Sequence, residues 1–332
     1  MVFLPFLAAF VSFFVVIFFT PWLIKYLRKI NLVVYDMNKK DKPLVPLSGG
    51  LVVLGGFLAG ITTFIFFRTF FAVNGSIILD DTALKFLFAG IISIIIVCLV
   101  GFVDDLVVQN PQQSSGLRQW QKPLLTLFAA VPLMVVAAGE TTMIVPFIGH
   151  VNFGIFYPLL FIPLGFLGAS NMVNMLAGFN GLETGMGIIY LSVLGLYAYV
   201  HERYIAALLA LVVVAALIGF YFYNKYPAQI LPGDSLTYFL GATLATIAIL
   251  GDLEKAALIV SIPFFIEFIL KARSKFAACS YGKYVDGTIH SFSKGIYSIP
   301  HFFTCTGKFT EKEIVYYIFF IVFLISNLIW VI

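Results

Sequence analysis

The chain has 332 residues, of which 61% are hydrophobic and only 11% are charged, and its net charge is +4. A soluble domain usually carries about 25% charged residues, so this composition excludes a soluble globular protein. It is typical of an integral membrane protein, in which basic residues gather at the membrane surface. The small positive charge therefore does not indicate a nucleic-acid partner.

Ten stretches are apolar and long enough to cross a bilayer, since a helix of roughly 20 residues spans about 30 Å of hydrocarbon. They lie near residues 2–24, 47–67, 86–103, 123–139, 153–169, 184–200, 204–223, 235–251, 256–270 and 314–332. The sequence thus predicts an all-α polytopic membrane protein, a bundle of about ten transmembrane helices. We expect a single membrane-embedded domain over residues 1–332, with its longest loop at about 271–313.

Basic residues are distributed unevenly between the loops. One set of alternate loops, starting with residues 25–42, holds sixteen of the twenty Lys and Arg residues, and the other set holds Arg68, Lys85, Arg203 and Lys255. The positive-inside rule places the first set in the cytoplasm, and an even number of spans then leaves both termini outside it. In a prokaryote this membrane would be the cell membrane.

Asp104 and Asp105 directly follow the uncharged run of residues 86–103. Adjacent carboxylates near a low-dielectric region repel each other and lose solvation, so a cation or a shared proton is expected beside them. The alternative, a capping role at the interface, is unfavourable because acidic groups at a helix C-terminus oppose the helix dipole. Asp234 opens the eighth stretch, where an N-cap role is the ordinary alternative. These three aspartates are the candidates for binding a hard cation such as Mg²⁺ at the cytoplasmic face.

A run of amides and glycines, NMVNMLAGFNGLETG, begins at Asn171. Asn171 and Asn174 are three residues apart and share one helical face, while the following glycines let backbone N–H groups approach a ligand. Such amides can hold a uracil or a ribose without adding charge. The alternative is a helix-packing segment whose asparagines bond to neighbouring helices.

This run, together with GFVDDL and PGDSLTYFLGA, resembles motifs of the polyprenyl-phosphate N-acetylhexosamine-1-phosphate transferase superfamily. It looks most like the dolichyl-phosphate N-acetylglucosamine-1-phosphotransferase branch of eukaryotes and archaea. The bacterial translocase for phospho-N-acetylmuramoyl-pentapeptide has aspartates where this chain has Ala177 and Asn180, which argues against a peptidoglycan precursor.

The resemblance implies transfer of GlcNAc-1-phosphate from UDP-GlcNAc to a polyprenyl or dolichyl phosphate, with release of UMP. This would be the first membrane step of glycan assembly, such as that of N-glycans. The resemblance also implies Mg²⁺ as the cofactor, with Mn²⁺ as a substitute. A homodimer is one open option for the oligomeric state.

The resemblance also assigns roles to residues. Asp234 would be the strongest metal ligand, and Asp104 would share the metal. Asp104 and Asp105 would hold or orient the attacking lipid phosphate. Substrate-binding roles fall to the amides, with Asn174 and Asn180 at the pyrophosphate and uridine and Asn171 beside them. Lys122 aligns with a family lysine near the phosphates, although a snorkelling lysine at a helix start is the alternative.

Several positions depart from the family pattern. The asparagine expected three residues after Asp105 is replaced by Val108, and only a shifted loop would let Asn110 take its place. The glutamate of the eukaryotic branch is absent from the Pro46-Leu47-Ser48 segment.

The basic cluster that the family carries late in its chain has no clear equal in this sequence. Arg273 is our candidate for a phosphate contact, with a membrane-anchoring arginine as the alternative. His290 and His301 are interpreted as ordinary loop residues. Glu267 lies four residues before Lys271, which predicts an i,i+4 ion pair at the interface.

Two other functions are alternatives. A transferase of the same superfamily could use another UDP-N-acetylhexosamine, and no residue identifies the sugar epimer. A secondary transporter would show paired halves and polar groups near mid-span. The sequence instead shows polar loops on one side and no internal repeat.

Overall fold

The computed structural model describes residues 3–71, 81–108, 116–145 and 149–331. Its helices are α1 (Phe3–Lys29), α2 (Gly50–Phe71), α3 (Asp81–Val107), α4 (Gln121–Ala129), α5 (Val131–Val135), α6 (Ile162–Met175), α7 (Leu182–Val200), α8 (Tyr204–Asn224), α9 (Gly233–Gly251), α10 (Glu254–Val260), α11 (Ile262–Arg273), α12 (His301–Thr304) and α13 (Glu311–Asn327). A π-helical turn, Tyr157–Phe161, precedes α6, and a 3₁₀ turn, Leu328–Val331, follows α13.

Six short strands form three antiparallel hairpins between these helices. The strands are β1 (Val33–Tyr35), β2 (Leu44–Pro46), β3 (Thr142–Val145), β4 (Gly149–Asn152), β5 (Lys283–Val285) and β6 (Thr288–His290). They pair in sequence order, with Val34 opposite Val45 in the first hairpin and Tyr284 opposite Ile289 in the third.

Eight helical segments of the described ranges are long and apolar enough to cross a bilayer. They are α1, α2, α3, α6 with its π turn, α7, α8, α9 and α13 with its 3₁₀ turn. The predicted all-α class is confirmed, and the protein is an integral multi-pass membrane protein. The other two predicted spans, 123–139 and 256–270, correspond to the shorter pairs α4–α5 and α10–α11, so the count remains close to ten.

Proline explains both interruptions. Pro132 lies in the first turn of α5, and Pro263 lies in the first turn of α11. Proline has no N–H to donate and its ring clashes with the carbonyl of the preceding turn, so a helix breaks or bends there. Mean hydropathy along a segment does not register this effect.

The helix that carries Asn171 and Asn174 is longer than the predicted span 153–169. It continues to Met175, so both asparagines lie on its last turns rather than in the loop that follows. The uncharged loop therefore begins only at Leu176, and the helix itself carries the two amides to the end of the bundle.

Helix α9 is the central helix. In its 18-residue apolar stretch 83% of the residues are buried inside the protein, against 28% for α1. Glycines bring its neighbours into backbone contact: a Cβ on Gly101 of α3 would lie 2.3 Å from the Asp234 carbonyl oxygen, and one on Gly241 would lie 2.5 Å from the Ala169 carbonyl oxygen. The small residues thus hold α3 and α6 directly against α9.

The polar ends of these three helices lie at the same end of the bundle, which we call the site end. Hairpin β1–β2 is attached there as well. The Leu231 N–H donates to the Pro46 carbonyl (2.8 Å), and the Gly49 N–H donates to the Leu231 carbonyl (2.9 Å). The loop between β1 and β2 is therefore fixed beside the start of α9.

We expect Gly101→Ala to destabilise the protein by about 1–3 kcal/mol, because the added methyl group overlaps the backbone of α9 and forces the two helices apart. The matched control is Gly55→Ala in α2, since nothing lies within 4 Å of a Cβ at that position. Alanine there should be neutral or slightly stabilising. Thermal unfolding of the detergent-solubilised protein measures both, and equal midpoints for the two variants would contradict close α3–α9 packing.

Candidate active site

Lys122 lies between two carboxylates. Its Nζ is 2.6 Å from Asp104 Oδ2 and 2.9 Å from Asp234 Oδ2. Asp104 belongs to the last turn of α3, Lys122 to the start of α4 and Asp234 to the first turn of α9. The Leu117 N–H also donates to Asp104 Oδ1. One ammonium thus offsets the repulsion between two acidic groups that are held near each other in a poorly solvated place.

Asp105 has a different set of partners. Its Oδ1 accepts the Asp234 N–H (2.7 Å), and its Oδ2 accepts the Ser235 N–H (3.2 Å) and the Ser48 hydroxyl (2.6 Å). The N-cap residue of α9 is Pro232, which has no side-chain oxygen to offer. Asp105 therefore caps α9 from another helix, and its charge lies at the positive end of the α9 dipole.

Asp234 is not the N-cap that the sequence leaves open as its alternative role, because it lies within the first turn of α9. Its carboxylate instead accepts the amide of Asn174 (3.1 Å) in addition to Lys122. The Asn174 carbonyl accepts the Thr237 hydroxyl (2.7 Å), so the amide is held in one orientation. Asn174 thus orients a carboxylate oxygen of Asp234.

Asn171 lies about one turn earlier in α6 and contacts α9 through Tyr238, whose hydroxyl donates to Asn171 Oδ1 (3.2 Å). Its amide donates to the Leu167 carbonyl (2.8 Å). These contacts fit the helix-packing alternative for this residue. A substrate-binding role for Asn171 remains a prediction.

A second lysine lies between two further carboxylates. Lys39 Nζ contacts Asp36 Oδ2 at 3.1 Å and also Glu311 Oε2. Asn180 joins both acids, because its amide donates to Asp36 Oδ2 (3.0 Å) and its backbone N–H donates to Glu311 Oε1 (2.9 Å). The Asn180 carbonyl accepts the Ala228 N–H (2.9 Å). We call Asp36, Lys39, Asn180 and Glu311 the second cluster.

A cavity at the site end runs between the two groups of charges. Asp234 and Asn174 line one side, and Asp36 and Asn180 line the other. Gly178 contributes its backbone to the wall, and its φ of +111° is a conformation that residues with a side chain rarely adopt. The cavity therefore has polar side chains on both sides, which suit a ligand with phosphates. Part of its wall is backbone without a side chain, which leaves room for a flat ring.

The structure brings together most of the residues that the sequence predicts for the site. Those that meet around the α3–α9 junction are Asp104, Asp105, Asp234, Lys122 and Asn174. Arg273 lies apart at the end of α11, where its guanidinium is 5.9 Å from the centre of the Tyr297 ring. Its role at a phosphate stays a prediction, and Asn110 lies outside the described residues.

Several residues at the site have little signal in the sequence. Ser48 belongs to the segment from which the eukaryotic glutamate is absent, and its hydroxyl donates to Asp105. Glu183 lies within the amide-glycine motif and accepts the Gly178 N–H (2.8 Å). Glu311 is one of two acids in the first turn of α13, and no pattern in the sequence connects it with Asn180.

The loop after α11 is held by buried polar side chains. Glu267 lies 3.8 Å from Lys271, as the i,i+4 spacing predicts, and it also accepts the Ser298 hydroxyl (2.6 Å) and the Ile299 N–H (2.7 Å). The Nε2 of His301 lies 2.8 Å from the Cys279 carbonyl, and burial lowers the pKa of this imidazole. His301 thus has a structural role in the loop.

We expect Asp105→Ala to lower the free energy of unfolding by about 1–3 kcal/mol, because two backbone N–H groups and a hydroxyl lose their acceptor. Asp81→Ala is the control, since this exposed acid of the first turn of α3 contributes only the helix-dipole term, roughly 0.3–1 kcal/mol. Thermal unfolding compares the two. A midpoint for Asp105→Ala as high as that of Asp81→Ala would rule out the capping role.

The chain matches the family model of glycosyl transferase family 4 over residues 87–252. It is 37% identical over 308 residues, covering 92% of this chain and 89% of the relative, to a Saccharolobus solfataricus protein provisionally named UDP-N-acetylglucosamine–dolichyl-phosphate N-acetylglucosaminephosphotransferase. A Dictyostelium discoideum protein of the same name, without that qualification, is 27% identical over 87% of this chain and 78% of its own. The phospho-N-acetylmuramoyl-pentapeptide-transferase of Streptococcus pyogenes is 31% identical over 85% of this chain and 82% of its own. The chain therefore belongs to glycosyl transferase family 4.

Proposed function

We propose that this protein transfers N-acetylglucosamine-1-phosphate from UDP-GlcNAc to a polyprenyl or dolichyl phosphate and releases UMP. The observation that carries this proposal is the Asp104–Lys122–Asp234 arrangement beside a cavity at one end of a membrane bundle. The names of the archaeal and Dictyostelium relatives support these two substrates. Only a site at such an end can receive a lipid from the bilayer and a nucleotide sugar from water.

In the reaction, an oxygen of the lipid phosphate attacks the β-phosphorus of UDP-GlcNAc. A new P–O bond forms while the bond between that phosphorus and the bridging oxygen breaks, and UMP leaves with the oxygen and its electron pair. A phosphate monoester has a second pKa of about 6, so the attacking group is already largely dianionic near neutral pH. The reaction therefore requires no aspartate to act as a general base.

The donor set at the site suits Mg²⁺. The carboxylate oxygens of Asp104 and Asp234 point at one cationic group, and Mg²⁺ commonly takes one or two protein carboxylates and completes its shell with phosphates and water. Among the residues that the structure describes, no cluster of three His, Cys, Asp or Glu side chains could hold a metal. We infer that Asp104 and Asp234 would hold the ion, which would offset the charge of the diphosphate and of the departing UMP.

Asp105 would act differently, because both of its oxygens already accept hydrogen bonds from α9 and Ser48. Its part is to fix the backbone of Asp234, and through it the carboxylate of that residue. We place the diphosphate beside Asn174 and Lys122, and the uridine toward Asn180. The cavity is lined by Asn174 and Asn180, and Lys122, which contacts the lining residue Asp234, would add positive charge where the negative charge of the leaving group develops.

The lipid acceptor would approach along α3 and α4. Val103 and Leu106, which flank the two aspartates of α3, are 45% and 49% exposed, and Trp120 and Leu124 at the start of α4 are 61% and 45% exposed. These exposed apolar side chains belong to the same helix ends that carry Asp104 and Lys122, which suits contact with a lipid chain there. The excess of basic residues in this set of loops supports a cytoplasmic orientation for the site end.

The secondary-transporter alternative is not supported, because the relatives reported above are transferases. The polar contacts of the site also gather at one end of the bundle rather than at mid-span. The superfamily alternative with another UDP-N-acetylhexosamine concerns only the sugar, so a single assay compares the donors.

The proposed activity predicts that the purified protein, given UDP-GlcNAc, a short polyprenyl phosphate and Mg²⁺, forms lipid-diphospho-GlcNAc and UMP in equal amounts. UDP-GalNAc in place of UDP-GlcNAc should give much less product. A chelator should stop the reaction, and added Mg²⁺ or Mn²⁺ should restore it. Product analysis by mass spectrometry tests this. Release of UMP without formation of the lipid product would overturn the proposed activity. Full turnover in the presence of the chelator would overturn the metal requirement.

Asp234→Asn should lower the rate of UMP release by roughly 100-fold or more, because an amide replaces a charged ligand where the transition-state charge must be offset. Asp252→Asn is the matched control on the other end of the same helix, where Asp252 bonds to the Glu140 N–H and Arg203. That variant should retain activity. Equal rates for the two variants would contradict the assigned role of Asp234.

A further inference from the structure

Asn38 links two distant segments at the site end. It lies in the loop between β1 and β2 and is 2% exposed. Its amide donates to the Gly178 carbonyl (2.7 Å), and its side-chain carbonyl accepts the Gly282 N–H (3.1 Å). Gly178 is 140 residues away along the chain and Gly282 is 244 residues away, so one side chain joins three separate loops.

The backbone N–H and the backbone carbonyl of Gly178 are both hydrogen-bonded to side chains. Its N–H donates to Glu183 Oε1 (2.8 Å), while its carbonyl accepts from Asn38. Both side chains are buried. The unusual φ of +111° therefore belongs to a fixed piece of cavity wall rather than to a loose loop.

Tyr281 lines the cavity next to Gly178. A Cβ on Gly178 would lie 3.6 Å from both Cβ and Cδ1 of Tyr281, which is ordinary van der Waals contact. The residue after Tyr281 is Gly282, the second partner of Asn38. Asn38 thus holds both sides of the Gly178–Tyr281 contact, although it does not itself line the cavity.

The segment that carries Tyr281 has a second, independent attachment. Glu267 of α11 accepts the Ser298 hydroxyl and the Ile299 N–H, and the Ser280 hydroxyl lies 3.4 Å from its carboxylate. Loss of the Asn38 bonds would therefore free the cavity side of this segment while leaving it attached to α11.

We propose that Asn38 is a positioning residue for the nucleotide part of the donor. It fixes the Tyr281 ring against the Gly178 backbone, and so the shape of the cavity wall on which the flat uridine ring would pack. The inference rests on the proposed function, and it concerns the affinity for the donor rather than the phosphoryl-transfer step. The hydrogen bonds of Asn38 go to Gly178 and Gly282 and not to Lys122 or to the carboxylates that we assign to the reacting atoms.

The test uses Asn38→Ala, which removes both hydrogen bonds, and Asn38→Asp, which keeps the shape and the acceptor for Gly282 but cannot donate to Gly178. Both should raise the KM for UDP-GlcNAc by about tenfold, with kcat at saturating donor and the KM for the lipid phosphate within about twofold of the unchanged protein. The dissociation constant for UDP, measured without lipid, should rise by the same factor. Asn38→Asp keeps the test decisive where Asn38→Ala does not fold.

Ser12→Ala is the control for the loss of a buried hydrogen bond between distant segments. Ser12 is fully buried, its hydroxyl donates to the Val212 carbonyl (3.0 Å), and neither residue nor its neighbours in the chain line the cavity. This variant should lose thermal stability and keep its donor KM. A KM rise of the same size in Ser12→Ala would mean that general destabilisation, not positioning, causes the effect.

The results separate this inference from the proposed function. An unchanged donor KM in both Asn38 variants, or a fall in kcat alone, would overturn the positioning role while leaving the transferase activity intact. A protein that releases no UMP would contradict the proposed function. The affinity for UDP would then still decide the inference. Equal affinity in Asn38→Asp and in the unchanged protein would overturn it, and so would the absence of UDP binding in both.

Discussion

The hydrogen bonds from α9 to the carboxylate of Asp105 fix the geometry on which the rest of the site depends. Adjacent residues of a helix point about 100° apart, and Asp104 and Asp105 contact different partners. Asp105 takes the N-terminal N–H groups of α9, and Asp104 takes Lys122. Because the capped N–H belongs to Asp234 itself, the same contact brings the Asp234 carboxylate to the other side of that lysine. Asp105 thus has a structural role at the start of α9, while Asp104 is the member of the pair to which we assign a part in the chemistry.

At the site end, two lysines each lie between two acidic residues. Lys122 lies between Asp104 and Asp234, and Lys39 lies between Asp36 and Glu311. Charged groups removed from water need partners and additional hydrogen bonds, because the desolvation cost is otherwise not offset. Asn174 and Asn180 supply those bonds, one in each group. The cavity between the groups is therefore bordered by charges that are already paired and oriented before any substrate enters.

Much of this arrangement is predictable from the sequence, and the parts that are not share a physical cause. Composition identifies a membrane protein, and the three motifs bring Asp104, Asp105, Asp234 and the asparagines into one hypothesis. Patterns within a short segment do not predict contacts between residues that are far apart in the chain. Asp105 caps α9 by accepting the N–H of Ser235, which is 130 residues away in the chain. The sequence near either residue does not indicate this contact. The same holds for Glu311, whose partner Asn180 is 131 residues away. The spans 123–139 and 256–270 were predicted, but the breaks within them were not, because proline interrupts hydrogen bonding without lowering hydropathy.

The long separations in sequence also have a consequence for synthesis. Lys39 is 272 residues from Glu311, and Asn38 is 244 residues from Gly282. A nascent chain that has released only its first helices from the ribosome already contains the β1–β2 hairpin, but it lacks the groups that this hairpin must bind. The second cluster is complete only when Glu311, at the start of α13, has been made. Unfinished translation products can therefore sit in the bilayer without this set of contacts beside the cavity.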